Sequence, residues 1–361
     1  MDILYDHQIF CNQRYGGISR YFYEIVTRIS KEEDVTLFCG YNNNKYGIAN
    51  NGDYKKVFSK KRCISRYGMG RLYNYLNKRN LHRISRNNTF DIYHPTCYDD
   101  YELCNGKLIV TVYDMIHEIF PQYFGHDNTC ERKKKILAKA DGIIAISQQT
   151  KLDLMQILGI DERKIKVIYL ANSLFSEKYV DLGIEDRYLL YVGNRSGYKN
   201  FASAIKAFAS SEICKDIKFI CFGGGEFSQE EKTLIKDLNI EKQVELFFGN
   251  DDVLATLYKN AELFIYPSEY EGFGLPPLEA MNYGVPVVCS NVSSIPEVVG
   301  EAGAFFNPLS VDDIKEKIDY ILLNDSYRNH LIKLGYQRTK QFSWDRCAKE
   351  TQEFYEEILE R

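Results

Sequence analysis

Short apolar runs with strand character alternate with amphipathic stretches along almost the whole chain, and no internal repeat underlies the pattern. This alternation restricts the fold more than any other feature. Residues 1–5 read as a strand that breaks at Tyr15-Gly16-Gly17, and a helix follows with Ser19 as its N-cap. Ile18, Tyr21, Phe22, Ile25, Val26 and Ile29 fall on one face of that helix. Further strands are expected over 35–40, 90–94, 107–112, 142–147 and 166–169, with a basic helix over 66–86. The second half restarts the pattern with strands over 188–192, 217–222, 244–248, 263–266 and 285–289. Helices separate them, for instance over 201–208 and 254–260. Near-continuous apolar strands between helices belong to parallel sheets covered on both faces.

A chain of 361 residues suits two such domains of roughly 150–200 residues each. The stretch 172–187 lacks periodicity and is the expected linker. The domains are then 1–175 and 176–343, with an amphipathic helix over 344–361 packing back on the first. Two doubly wound domains imply a cleft between the carboxyl ends of their sheets, where ligands of this architecture bind.

Charge divides the chain in the same way. Residues 1–170 hold 26 Lys+Arg against 19 Asp+Glu, and residues 171–361 hold 20 against 31. The ten cysteines are scattered with no CxxC pair, which suits a reducing cytosol better than a secretory compartment. The first residues lack a basic, apolar leader, and no apolar run is long enough to span a bilayer. A cytoplasmic location follows as an expectation, with any membrane contact peripheral.

Chemistry concentrates in residues 266–280. A strand ends at Tyr266, a loop carries Glu271, Gly272, Phe273 and Gly274, and a helix is expected to begin near Pro277 with Glu279 in its first turn. Glycines let a backbone approach a ligand and present N–H groups beside a helix N-terminus, which favours anions. The flanking carboxylates can accept hydrogen bonds from sugar and ribose hydroxyls. A plain strand–loop–helix connection would account for a bare Gly-x-Gly, but not for two glutamates, two glycines and a Pro pair in one segment.

This segment resembles the E-x7-E signature of family-4 retaining glycosyltransferases, and the likeness extends to the later GVPVVCSN and FSW motifs. The resemblance implies the GT-B architecture, two facing Rossmann-like α/β domains with an interdomain cleft. It implies that Glu271 contacts the transferred sugar, that Glu279 binds ribose, and that the Phe273-Gly274-Leu275 backbone lies near sugar and phosphate. It also implies transfer of a hexosyl group from a nucleotide-sugar, GDP-mannose ahead of UDP-sugars, to a glycan or lipid-linked glycan of the cell surface. An epimerase of the same fold, or a relative that binds sugar without catalysis, is the alternative.

Arg195 and Lys199 follow the first strand of the second half, where two cations can clamp a diphosphate and stabilise it as it leaves. The family has an Arg and a Lys at this place. A solvated basic turn is the plainer reading. The Gly16-Gly17 turn matches the family's N-terminal glycine loop near donor phosphate, although a tight turn needs no ligand. In the loop after the strand over 107–112, many relatives have a His before Asp114. Here Tyr113 stands in its place, and either Tyr113 or His117 would meet the sugar.

Residues 55–86 contain eleven Lys/Arg and no acid, interleaved with Ile64, Tyr67, Met69, Leu72, Tyr73, Tyr75 and Leu76. Such a stretch suits an anionic membrane surface or a solvated helix face. Nucleic acid is a weaker partner, since the other half is acidic and carries no recognition motif. No D-x-D pair and no metal-spaced His/Cys/Asp cluster is present, so neither a metal nor another cofactor is expected.

Overall fold

The structure, a computed structural model, describes residues 1–46, 54, 56–61, 69–103, 106–125, 127–176 and 178–361. The expectations placed on 55 and 62–68, Ile64 and Tyr67 among them, lie outside these. The chain divides into two compact units, Met1–Leu170 with Ser343–Arg361, and Ala171–Phe342.

Among the described residues the first unit is built on seven parallel strands: β1 (Asp2–Tyr5), β2 (Asp34–Asn42), β3 (Lys56–Lys61), β4 (Ile92–His94), β5 (Lys107–Val112), β6 (Gly142–Ala145) and β7 (Ile165–Val167), in the order β3-β2-β1-β4-β5-β6-β7. The second has six: β8 (Tyr188–Val192), β9 (Lys218–Phe222), β10 (Val244–Phe247), β11 (Leu263–Tyr266), β12 (Val287–Ser290) and β13 (Gly303–Phe306), in the order β10-β9-β8-β11-β12-β13. Strand order reverses beside β1 and beside β8, the position at which open α/β sheets bind ligands at the carboxyl ends of their strands. Helices cover the sheets because the strands are apolar on both faces: β6, β11 and β12 are buried throughout.

Three local details differ from expectation. Strands β3 and β13 carry no apolar run of ordinary length. The first, KVFSKK, is an edge strand with Ser59 and Lys60 exposed. The helix Gly17–Ile29 is capped by Gly16, not Ser19, whose hydroxyl lies in the first turn 3.1 Å from the Gly16 carbonyl oxygen. The helix after the E-x7-E loop is Leu275–Asn282, starting two residues early, so Glu279 sits beyond the first turn.

The helix Trp344–Glu360 is part of the first unit and buries Trp344, Cys347, Ala348, Thr351, Phe354, Tyr355 and Ile358. Gly142 makes this docking possible: a Cβ there would stand 2.8 Å from the Phe354 ring. Arg28 donates to Asp345 at 2.6 Å near the start of the helix. Beneath it runs a buried polar chain. The Tyr355 hydroxyl lies 2.9 Å from the Tyr5 hydroxyl and 2.5 Å from His94 Nδ1, and His94 Nε2 is 2.8 Å from the Thr111 hydroxyl.

Burial holds His94 neutral, lowering it from its ordinary 6.5 to about 3. Below pH 6.5 the unfolded chain takes up a proton that the folded chain refuses, so stability falls as pH drops from 6.5 toward 3. The expected loss reaches about 1.4 kcal/mol per pH unit across this window. A His94→Gln variant should start less stable at pH 7 and lose less on acidification. Urea midpoints measured from pH 7 to 4 check this, and parallel curves for the two proteins would refute it.

Among the described residues no helix is long and apolar enough to cross a membrane. The described part of the basic stretch is the edge strand β3 and the helix Met69–Asn87. That helix buries Tyr73 and exposes Leu72 and Tyr75 beside Arg71, Lys78 and Arg79.

Candidate functional site

The second unit gathers its chemistry at the carboxyl ends of β8, β9, β11 and β12. The loop after β11 is held by its backbone. Ser293 Oγ accepts from the Glu271 N–H at 3.1 Å and donates to the Glu271 carbonyl at 2.6 Å. Ser294 Oγ lies 2.8 Å from that carbonyl and 2.9 Å from the Phe273 carbonyl. Gly274 takes φ +111°, a conformation that a side chain would strain, and opens the helix Leu275–Asn282. Phe273 is buried with its ring edge-on to Phe342, 5.8 Å away.

The loop after β8 is tied to the same place. Asn200, at φ +54°, donates through Nδ2 to the carbonyls of Pro267 and Pro308 at 3.2 and 2.8 Å. The Glu269 N–H donates to the Tyr198 carbonyl at 2.8 Å. With both loops fastened, Lys199 Nζ donates to Glu271 Oε1 at 2.6 Å, and the two side chains are only 19% and 12% exposed. Glu279 is oriented by the Tyr258 hydroxyl, which donates to Oε2 at 3.1 Å. Burial, and then the Glu279 carboxylate, push the Tyr258 phenol far above its ordinary value, so it remains a donor. Tyr266 is likewise held up by burial and by the carboxylate of Glu271.

The structure thus pairs Lys199 with Glu271, sets Gly274 and Glu279 on the helix that follows, and turns Arg195 to other partners. The Arg195 guanidinium is buried against the loop after β9, paired with Glu231 at 3.0 Å and bonded to backbone carbonyls. No sequence motif singles out Ser293, Ser294, Asn200 or Tyr258. A Ser pair after a strand and an Asn before a helix are weak signals until their partners are known.

In the first unit, Gly16 is extended and its N–H donates to the Tyr46 hydroxyl at 3.2 Å, while Gly17 opens the helix Gly17–Ile29. Tyr113, one of the two residues that the resemblance brings to the sugar, lies turned inward. Its ring packs edge-on to Tyr21 at 5.8 Å, the residue is 7% exposed, and its buried hydroxyl meets no partner among the described residues. An aromatic ring at the end of β5 follows the apolar side of the chain inward. His117 packs on Phe124 in a tilted pair with centroids 4.0 Å apart and lies 3.5 Å from Asp127, which holds the ring within its own loop. Beside it the buried Lys133 donates to Glu118 at 2.9 Å and to the Asp114 carbonyl at 2.9 Å. Among the described residues no group of three or more His, Cys, Asp or Glu could hold a metal ion.

Comparison with known proteins agrees with this fold. A model of the glycosyl transferases group 1 matches residues 175–338, and one of glycosyltransferase Family 4 matches residues 15–171. The O-antigen chain mannosyltransferase B of Escherichia coli is 29% identical over 367 residues, covering 93% of this chain and 94% of that protein. The MMP alpha-(1->4)-mannosyltransferase of Mycolicibacterium hassiacum is 26% identical over 238 residues, covering 64% and 57%. Among solved structures, sucrose-phosphate synthase from Thermosynechococcus elongatus superimposes with a TM-score of 0.77 at 19% identity, covering 99% and 98%. Anabaena HepE in complex with UDP and glucose gives 0.76 at 17%, covering 99% and 100%. With two doubly wound units, an E-x7-E loop fastened at a switch point, and family matches running from residue 15 to residue 338, the chain belongs to the group 1 and Family 4 glycosyltransferases of the GT-B fold.

Proposed function

We propose that this glycosyltransferase moves a hexosyl group, mannose first among the candidates, from a nucleoside-diphosphate sugar to a glycan or lipid-linked glycan, with retention and without a metal. The observation that carries the reading is the 2.6 Å contact between Lys199 and Glu271, two charges from loops on neighbouring strands. The pair is poised to part. A donor diphosphate competes for the Lys199 ammonium, and the released Glu271 carboxylate turns to the hydroxyls of the sugar. Glu279, set by Tyr258, takes the ribose hydroxyls.

The acceptor hydroxyl then attacks the anomeric carbon from the face that the nucleoside diphosphate leaves. The bond from that carbon to the diphosphate oxygen breaks, its electron pair stays on the phosphate, and a phosphate oxygen takes the acceptor proton. Lys199 stabilises the charge as it grows, which is where a fixed cation contributes most. The preference for mannose rests on relatives named as mannosyltransferases. The first unit, with Gly16 and Gly17 at the start of a helix, is assigned the acceptor side.

The test is a thermal-shift screen with GDP-mannose, UDP-glucose and UDP-galactose, followed by transfer assays in EDTA. A donor at a hundred times its Kd stabilises the folded state by about 2.7 kcal/mol. GDP-mannose should raise the melting midpoint most, and transfer should persist in EDTA. Absence of a shift with every nucleotide-sugar would reject the donor site, and an absolute need for added Mg²⁺ or Mn²⁺ would reject the metal-free mechanism.

A further inference from the structure

Arg195 carries a charge that its place in the sequence directs to the donor diphosphate, yet its side chain is 2% exposed. Nε donates to Glu231 Oε1 at 3.0 Å. One terminal nitrogen donates to the Gly223 carbonyl at 2.7 Å, and the other to the carbonyls of Gly225 and Glu226 at 2.6 and 3.1 Å. The guanidinium also lies 4.7 Å above the Phe227 ring. An arginine has five N–H donors in a rigid fork, and nearly all of them are engaged here inside the protein.

The loop that receives these bonds has an unusual backbone. Gly223, Gly224 and Gly225 take φ of +79°, +73° and +76°, three left-handed residues in succession. Gly224 lies so close to the neighbouring loop that a Cβ would stand 2.5 Å from the Gly193 carbonyl oxygen and 2.9 Å from the Arg195 guanidinium. With the carbonyls of Gly223, Gly225 and Glu226 gathered on Arg195, the exposed Gly224 and Gly225 have N–H groups that meet no acceptor among the described residues. The loop leaves β9 beside β8, whose own loop carries Lys199. Glu231 completes the device. Its second oxygen accepts from the Ser228 N–H at 2.7 Å in a capping box, so one carboxylate joins the helix Gln229–Asp237 to the arginine.

We propose that Arg195 is a positioning residue, which with Glu231 holds the 223–226 loop so that its amides receive the nucleoside monophosphate end of the donor, and that it does not itself touch the diphosphate. This rests on the donor-site reading above. The two roles separate in binding. A residue that contacts the outer phosphate loses diphosphate affinity selectively, whereas one that shapes a loop for the nucleotide weakens mono- and diphosphate alike.

Affinities for GMP and GDP, with UMP and UDP in parallel, are measured by calorimetry for the wild type, Arg195→Ala, Arg195→Lys, Glu231→Gln and Gly224→Ala. Arg195→Ala should weaken the mono- and diphosphate of the preferred base by a common factor of about ten, comparable to losing one charge-assisted contact. Gly224→Ala should do the same with Arg195 intact, and Glu231→Gln should act in the same direction by about threefold. Donor KM should rise while kcat and acceptor KM change less than about threefold. Arg195→Lys should not rescue, since a point charge cannot span the carbonyls and Glu231. A loss confined to the diphosphate, rescue by lysine, or wild-type affinity in Glu231→Gln and Gly224→Ala would overturn the inference. The last two variants keep it decidable should Arg195→Ala fail to fold. A wild type that binds none of the four nucleotides would overturn the donor-site reading, and this inference with it.

Discussion

Replacing Lys199 with alanine should lower kcat by about 10²–10³, the cost of losing one preorganised charge that meets the leaving group. The ammonium sits 2.6 Å from Glu271 in a recess where both side chains are largely shielded from water. Water screens such a charge poorly, so its attraction for a departing diphosphate is greater than that of a surface lysine. The substitution also leaves the Glu271 carboxylate facing an incoming anion, so donor KM should rise as well. Arginine should recover little, because its planar fork is longer and differently shaped than the compact ammonium held between Glu271 and the Tyr198 ring. Steady-state kinetics with the donor found by the thermal-shift screen provide the measurement. Turnover within threefold of wild type would remove Lys199 from the mechanism.

Glu271→Ala should be comparably damaging, by about 10² or more in kcat, with the fold intact. The reason the fold survives is specific. Ser293 and Ser294 grip the backbone of residue 271, not its carboxylate, so the loop keeps its path when the side chain is removed. The melting midpoint should therefore move by only a few degrees, the range of about 1 kcal/mol in a protein of this size. Glu271→Gln keeps an acceptor for sugar hydroxyls and should fall between the two. Because Lys199 and Glu271 touch, the double alanine variant should cost less than the product of the single losses. Strict multiplicativity would indicate that the two residues act independently, contrary to the poised-pair reading.

Much of the fold was legible because its signals are local. Apolar runs between helical stretches expose a parallel sheet wherever burial on both faces demands Val, Ile and Leu, as in β6, β11 and β12. Strands β3 and β13 escaped for the complementary reason: an edge strand rich in lysine, and a four-residue strand opening on Gly303, carry little of that pattern. The helix Leu275–Asn282 starts two residues before Pro277 because the Gly274 turn, not the Pro pair, sets its start.

The sequence by itself determined the α/β class, the two-part organisation of its pattern, and the E-x7-E loop with Lys199 upstream. Each is written in composition or spacing over a few residues. Only the tertiary structure decided which side chains meet. Lys199 finds Glu271 across 72 positions, Ser293 clamps Glu271 from 22 positions away, and Glu231 draws Arg195 from 36. Tyr113 turns into the core against Tyr21, although its neighbours in sequence suggest a polar loop. Periodicity reports whether a residue is buried in its own element, while the direction of a side chain at a strand end is set by what the neighbouring strands bring beside it. That is why the E-x7-E loop was visible in one dimension, and why the partners that hold and charge it were not.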